Sequence, residues 1–324
     1  KNMDVHGLLT RYYRVCEILI ALANHVPQDG ATTMSLRTAP FSKLLNAGGN
    51  RTEAWILLVP LQSQMTAAIP RMRSRKETTA SIDPFPEKVR TQRCLEDVDV
   101  FRTKERPKKV TFMGDDGRCY PFLCKAEKRG DLRKDSRMME FGVMVNQLLQ
   151  KNPDTRRRNL EVRTFNVVIF AESTGLIEWV SNTKGMRNII DELWKHLRPG
   201  QQQSLRELKE LFDRSRNLFE TFTKQVLPRH PPVLHHWFAL GTDPSAWLSR
   251  RLTFSRSQAL WCMLGYVLGL GDRHGENILL DTESGRMVHV DFDCLFGKGM
   301  LLERPETVPF RLTPNCVAAM GITG

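Results

Sequence analysis

The apolar stretch from Ala259 to Leu268 runs directly into the polar loop Gly269-Leu-Gly-Asp272-Arg273-His274-Gly-Glu-Asn277-Ile-Leu, and Val288-His289-Val290-Asp291-Phe292-Asp293 follows closely. Ser255 and Gln258 read as a capping box that opens the stretch as a helix, and the lack of a polar face predicts that this helix is buried all round. Such a helix needs a folded body around it. At 324 residues the chain has room for two domains or lobes. Its 41% hydrophobic and 26% charged residues are the balance of a globular protein rather than of a disordered or collagen-like chain.

The segment Ser257 to Gly271 carries no charge but falls short of the ~20 apolar residues that cross a bilayer. No membrane span is expected. Residue 1 is Lys, and the first residues lack the basic start, apolar core and cleavage site of a secretory signal. The chain therefore reads as an internal fragment. Seven cysteines without a Cys-x-x-Cys spacing, and without zinc-type partners at Cys119 and Cys124, point to a reducing cytosol or nucleus.

Several elements are legible upstream. Leu8 to Ala23 is apolar at helical spacing and is closed by Pro27 and Gly30. Trp55 to Ile69 is a strand-like run interrupted by Pro60, and Arg71 to Pro86 reads as a surface connection. Lys108–Met113 and Arg118–Lys125 alternate around Gly114-Asp-Asp-Gly117, the signature of a hairpin with Lys125 at the end of its second strand. A helix over about 132–149 follows, with Met138, Phe141, Val145 and Leu148 on one face, then strands over 160–170 and 176–180. Ser204 and Glu207 form a capping box for a helix that stops at Pro228 and buries Leu205, Leu208, Phe212, Phe219, Phe222 and Val226. The first part is thus sheet, helix, sheet, and the second mainly helical.

The net charge of +12 suits a nucleic-acid binder, a membrane-surface protein or a handler of phosphate. The positive charges, such as Arg71/Arg73/Arg75/Lys76, Lys104/Arg106/Lys108/Lys109 and Arg156–Arg158, come in short groups separated by acids. No aromatic series interleaves them as a stacking platform would require, so nucleic-acid contact is expected to be indirect.

Phosphoryl transfer from ATP needs a group to orient or deprotonate the attacking hydroxyl and oxygen ligands for Mg²⁺. Asp272, Asn277 and Asp291 can supply them. Protein kinases place base and metal ligand five apart in His-Arg-Asp-x-x-x-x-Asn, the separation of Asp272 and Asn277, but here the tripeptide is reversed to Asp-Arg-His. Asp291-Phe292 stands where such kinases have Asp-Phe-Gly, Asp293 replaces the glycine, and no glycine-rich phosphate loop lies upstream. An ordinary protein kinase is excluded.

The reversed loop resembles that of the phosphatidylinositol-3-kinase-like superfamily, over about four-fifths of the chain from Trp55 onward. Leu227-Pro-Arg-His-Pro-Pro-Val-Leu-His-His-Trp-Phe238, Gly265 to His274, His289 to Phe296 and Val308-Pro-Phe-Arg-Leu-Thr313 are together similar to the ATR-type checkpoint kinases, with a fungal-type or similarly divergent member suggested. The resemblance implies an α+β, bilobal protein-kinase-like fold of the PI3K/PI4K catalytic type. Residues 1–30 would end a helical FAT domain, 31–180 form a small β-rich N-lobe, and 181–324 form a mainly helical C-lobe that stops before a FATC tail. The catalytic loop would span 269–279 and the activation loop 291–313.

The resemblance also implies transfer of the γ-phosphoryl group of ATP, with Mg²⁺ (Mn²⁺ as a substitute), to protein Ser or Thr followed by Gln. It further implies nuclear action in DNA-damage and replication checkpoint signalling, a helical partner of the ATR-interacting-protein type, and a dimer of heterodimers. Carried over residue by residue, Asp272 is the catalytic base, His274 faces the hydroxyl and the transferring phosphate, and Asn277 and Asp291 hold the metal. Lys125 contacts the phosphates and Asp135 orients it, although their separation is longer than usual and Glu127 or Lys128 could take part in the register. Thr103 stands in the phosphate-covering loop. Trp179 stacks on adenine and the Val180 backbone bonds its edge.

Each assignment has a structural alternative: a snorkelling strand-end lysine for Lys125, core packing for Trp179, an ordinary loop position for Thr103, a surface ion pair for Asp135. His230, His235 and His236 read as packing rather than metal-binding residues, because adjacent residues point to different faces. Three other functions stay open. A phosphoinositide lipid kinase would need basic residues for its headgroup, and the activation loop offers Lys298 and Arg304 without a dense basic box. A catalytically weak, kinase-shaped scaffold is the second, and a nucleic-acid module, with steeply salt-dependent affinity, is the third.

Overall fold

The computed structural model describes residues 5–27, 30–46, 58–65, 89–128, 130–198, 200, 203–241, 243–303 and 305–322. The chain divides into two compact units, residues 1–144 with 164–180 and residues 145–163 with 181–324.

Unit 1 is built on an antiparallel sheet. Its strands are β1 (Thr33–Ser35), β2 (Thr91–Cys94), β3 (Asp97–Val100), β4 (Lys108–Gly114), β5 (Cys119–Ala126), β6 (Val167–Ala171) and β7 (Thr174–Glu178). The order is β1-β3-β4-β5-β7-β6, with β2 pairing a second part of β4. The expected hairpin is β4–β5, in register from Lys108 opposite Cys124 to Met113 opposite Cys119. Alternation does the sorting: along β4 every second residue from Lys108 is buried.

Helix α1 (Val5–Asn24) packs on β5 and β7, and the short α2 (Gln62–Met65) follows Pro60. Leu19, Leu22 and Ala23 of α1 share one core with Leu36, Phe41, Leu44, Phe122 and Cys124. Lys108 explains part of this join. Its side chain is 1% exposed, and its ammonium donates to the carbonyls of Ala23 (2.7 Å) and His25 (2.6 Å), which α1 leaves open at its end. Lys108, one of a short group of basic residues in the sequence, is a buried clamp.

The run Trp55 to Ile69 is described only over 58–65. There Leu58 makes an isolated bridge to Arg90, Val59 is fully buried, and the chain turns helical after Pro60. Arg71 to Pro86 lies outside the described residues. Helix α3 (Arg133–Lys151) matches its expected position. Of the strand expected over 160–170 only β6 forms, since the amide of Asn146 takes the backbone of Val162 in both directions (2.8 and 2.7 Å).

Unit 2 contains α4 (Pro153–Arg157), β8 (Thr183–Gly185), α5 (Met186–Leu197), α6 (Leu205–Asp213), α7 (Leu218–Thr221), α8 (Leu234–Ala239), α9 (Pro244–Leu268), β9 (Ile278–Asp281), β10 (Met287–His289) and α10 (Pro314–Met320). Strands β10, β9 and β8 form a small antiparallel sheet. The Ser204–Glu207 capping box is present in both directions, but the helix ends at Asp213. Asn217 starts α7 by accepting from the Glu220 N–H (3.1 Å), and a π-helical turn follows over Phe222–Val226. Phe219 and Phe222 are consequently exposed, and only Val226 of that end of the stripe is buried. The Leu205 side chain lies outside the described residues.

Helix α9 begins earlier than Ser255 predicts. Asp243 accepts from the N–H groups of Ser245 and Ala246 and Pro244 occupies the first turn, a stronger start that leaves Ser255 mid-helix. Phe254, Trp261 and Leu264 are buried, but Met263, Tyr266 and Val267 are exposed, so the helix is apolar without being buried all round. All seven cysteines are free. Among the described residues no helix is long and apolar enough to cross a membrane.

Candidate active site

In unit 2 the loop after α9 begins at Gly269, whose φ of +55° closes the helix with a left-handed residue. A side chain there is excluded, since a Cβ would lie 2.6 Å from the Gly297 nitrogen. Asp272 (φ +56°), Asp291 (φ +62°) and Phe296 (φ +55°) also take left-handed backbones without being glycine. That conformation costs roughly 1–2 kcal/mol per residue and persists only where neighbours enforce it.

Arg273 is one enforcer. Only 5% exposed, it donates from Nε to the Gly271 carbonyl (2.8 Å), from Nη1 to Val290 (2.9 Å) and from Nη2 to the Asp291 carbonyl, while its guanidinium lies 5.6 Å from the centre of the Phe292 ring. Burial pulls its pKa down, and the carboxylates of Asp291, Asp272 and Glu306 oppose the shift. The sequence reading gave Arg273 no role. A basic residue amid acids on a loop delivered from a helix partly buried in the core was the available signal.

The β9–β10 hairpin brings the two candidate metal ligands together. Ile278 pairs with His289, and the Val290 N–H then donates to the Asn277 carbonyl (3.1 Å), which sets Asn277 beside the segment entering Asp291. Asn277 is buried, and its Nδ2 donates to the Asp272 carbonyl (2.9 Å), leaving Oδ1 as the acceptor end of the amide. His274 lies with Nε2 4.0 Å from Asp272 Oδ2, both side chains about half exposed. Its Nδ1 accepts from the Glu276 N–H (3.3 Å), a bond that assigns the proton to Nε2. Behind Asp291, Phe292 and His289 stack on Trp261 (6.0 and 4.3 Å between ring centres). Burial and the neighbouring Arg273 hold the His289 pKa well below the usual range, so this ring is neutral. Asp293, in the place of a glycine, pairs with Lys298 at 2.9 Å.

In unit 1, Lys125 lies on β5 opposite Gly175 of β7. Its ammonium pairs with Glu127 at 2.5 Å in a partly buried bridge. Asp135 is buried in the first turn of α3. The Trp179 backbone N–H donates to the Pro121 carbonyl (3.1 Å), and its ring stacks on Phe101 (5.8 Å between centres) with the Lys109 ammonium 5.2 Å from its centre. Val180 follows it, half-buried. Thr103 is exposed in the turn that the Arg106 N–H closes on the Thr103 carbonyl (3.1 Å), beside a cavity of about 290 Å³.

Asn277 and Asp291 offer an amide and a carboxylate oxygen, hard donors that fit Mg²⁺. Among the described residues no group of three or more His, Cys, Asp or Glu could hold a metal ion. Mg²⁺ needs none, because it binds through one or two carboxylates together with substrate phosphates. The three histidines 230, 235 and 236 pack instead: His230 lies edge-on to Trp194 (4.9 Å) and His235 against His236 (4.0 Å).

The family model described as phosphatidylinositol 3- and 4-kinase matches residues 120–324. The serine/threonine-protein kinase ATR of Oryza sativa subsp. indica is 39% identical over 332 residues, covering 100% of this chain, and protein kinase rad3 of Schizosaccharomyces pombe is 42% identical over 271 residues, covering 83%. The chain spans only 12% and 11% of those relatives. Among solved structures, the FAT and kinase domain of CtTel1 superposes with a TM-score of 0.80 at 29% identity, covering 100% of this chain and 22% of that one, and a complete CtTel1 dimer does so at 30% identity with 12% of that chain covered. The chain belongs to the phosphatidylinositol 3- and 4-kinase family, with an α+β catalytic kinase fold and with ATR-type kinases among its sequence relatives.

Proposed function

We propose that this chain carries the catalytic region of a serine/threonine protein kinase that transfers the γ-phosphoryl group of ATP to a Ser or Thr followed by Gln. The gathering of Asp272, His274, Asn277 and Asp291 by the β9–β10 hairpin and Arg273 carries the reading. The Asp272 carboxylate accepts the proton of the attacking hydroxyl, and the Nε2–H of His274 faces the hydroxyl and the phosphoryl oxygens. Asn277 Oδ1 and the Asp291 carboxylate hold Mg²⁺, for which Mn²⁺ can substitute. When bound, the cation offsets the negative charge of the phosphates.

Lys125 meets the phosphates as a point charge, with Asp135 and Glu127 as its orienting acids. Thr103 lies in the phosphate-covering loop, and Trp179 and Val180 receive the adenine. Rate enhancement then comes from positioning and fixed charge, which needs the enforced backbones of Asp272 and Asp291. Residues 1–30 are assigned to the end of a FAT domain, 31–180 to the N-lobe and 181–324 to the C-lobe. The proposal extends to nuclear checkpoint signalling with a helical ATR-interacting-protein-type partner in a dimer of heterodimers; the similarity to a CtTel1 dimer supports the dimeric part of it.

The family description itself favours one second reading, phosphorylation of a phosphoinositide. The test is transfer of labelled phosphate by the protein in its native complex to a Ser-Gln peptide, a Ser-Ala peptide and phosphoinositide vesicles. Preference for Ser-Gln is the expected result. Transfer to lipid alone would replace the proposed substrate class.

A further inference from the structure

Glu306 belongs to none of the roles assigned above, yet its carboxylate reaches the backbone of Asp272. Oε2 accepts from the Asp272 N–H at 2.6 Å, and the Glu306 N–H donates to the Gly299 carbonyl at 3.2 Å. Two glycines make the room: a Cβ on Gly271 would lie 2.8 Å from this Oε2, and one on Gly299 would lie 2.9 Å from it. Gly271 is tied in turn by its N–H to the Cys294 carbonyl (2.7 Å). A carboxylate brought to the Asp272 backbone adds negative charge beside that aspartate, and the buried Arg273, whose charge interacts with Asp272, Asp291 and Glu306, offsets the repulsion.

The bond falls on a left-handed backbone, since Asp272 holds its φ of +56° without being glycine. We propose that Glu306 is a positioning residue for phosphoryl transfer. It fixes the Asp272 backbone from the far end of the activation segment, so that an ordered segment and a correctly aimed aspartate are one condition. This inference rests on the kinase reading above.

The experiment compares Glu306→Ala, Glu306→Asp and Glu306→Gln with the wild-type protein in its native complex. It measures kcat and KM for ATP on the Ser-Gln peptide, melting temperature, and amide hydrogen exchange at Asp272. A group displaced by about 1 Å can lose on the order of 100-fold in rate. Glu306→Ala is therefore expected to lower kcat about 100-fold with KM for ATP within about twofold. Glu306→Asp, whose acceptor is withdrawn by one methylene, should fall in the same direction. Glu306→Gln keeps a carbonyl acceptor and should recover most of the rate. Exchange of the Asp272 amide should quicken at least about tenfold in the alanine variant, the loss of one hydrogen bond.

Aspartate and alanine variants with wild-type kcat would overturn the proposal, as would a glutamine variant no better than alanine. Rate losses that only track a fall in melting temperature would also overturn it. If the wild-type protein transfers no phosphate, the kinase reading fails. The exchange measurement then decides on Glu306 alone, and an unchanged Asp272 amide would refute its positioning role.

Discussion

Arg273 donates to the carbonyls of Gly271, Val290 and Asp291, and so joins the loop after α9 to the segment after β10 through backbone rather than through side chains. A planar fork with several fixed donors can reach three carbonyls at once; a lysine ammonium on a flexible stem cannot. Arg273→Ala should therefore destabilise unit 2 by about 2–4 kcal/mol, because buried carbonyls lose their donors. Arg273→Lys should restore little of the stability or the phosphotransfer rate. Urea unfolding alongside peptide phosphorylation checks this, and a lysine variant with wild-type behaviour would show that charge alone suffices. The acids were legible in the sequence because carboxylates and amides at kinase spacing have few other uses together. Arg273 and Glu306 were not, since their partners are backbone groups that no spacing rule indexes.

At the scale of elements, the hairpin β4–β5 and helix α3 stand where alternation and helical periodicity put them, because both patterns are local. Helix α9 and the segment from Ser204 to Pro228 differ at their boundaries for an equally local reason: Asp243 and Asn217 each cap a helix where they stand. Non-local effects were out of reach. Lys108, on an alternating strand, is buried where its ammonium meets the carbonyls of Ala23 and His25 at the end of α1. Lys108→Met should cost unit 1 about 1–3 kcal/mol, although it replaces a buried charge by an apolar side chain of similar length, because two carbonyls lose a charged donor. Thermal unfolding, with hydrogen exchange at the end of α1, tests this. A variant more stable than wild type would mean that burial of the ammonium outweighs its two bonds.

For the whole molecule, the +12 charge is read directly from composition, and the chain divides into two compact units, 1–144 with 164–180 and 145–163 with 181–324. Composition could not say which unit the linking residues join; 145–163 belong with the helical unit although they precede β6. The charge is spread over both units as clamps, ion pairs and exposed arginines rather than as one basic face in the sequence, so it argues for phosphate handling more than for a continuous nucleic-acid track. The central claim is that the loop 269–279 and Asp291 perform Mg²⁺-dependent phosphoryl transfer. Its most direct test is transfer from labelled ATP to a Ser-Gln peptide by the protein in its native complex, with and without Mg²⁺, for wild type, Asp272→Ala and Asp291→Ala. Transfer that requires Mg²⁺ and disappears in both variants is the predicted result. Transfer that persists in either variant, or none by wild type under activating conditions, would contradict it and leave a kinase-shaped scaffold.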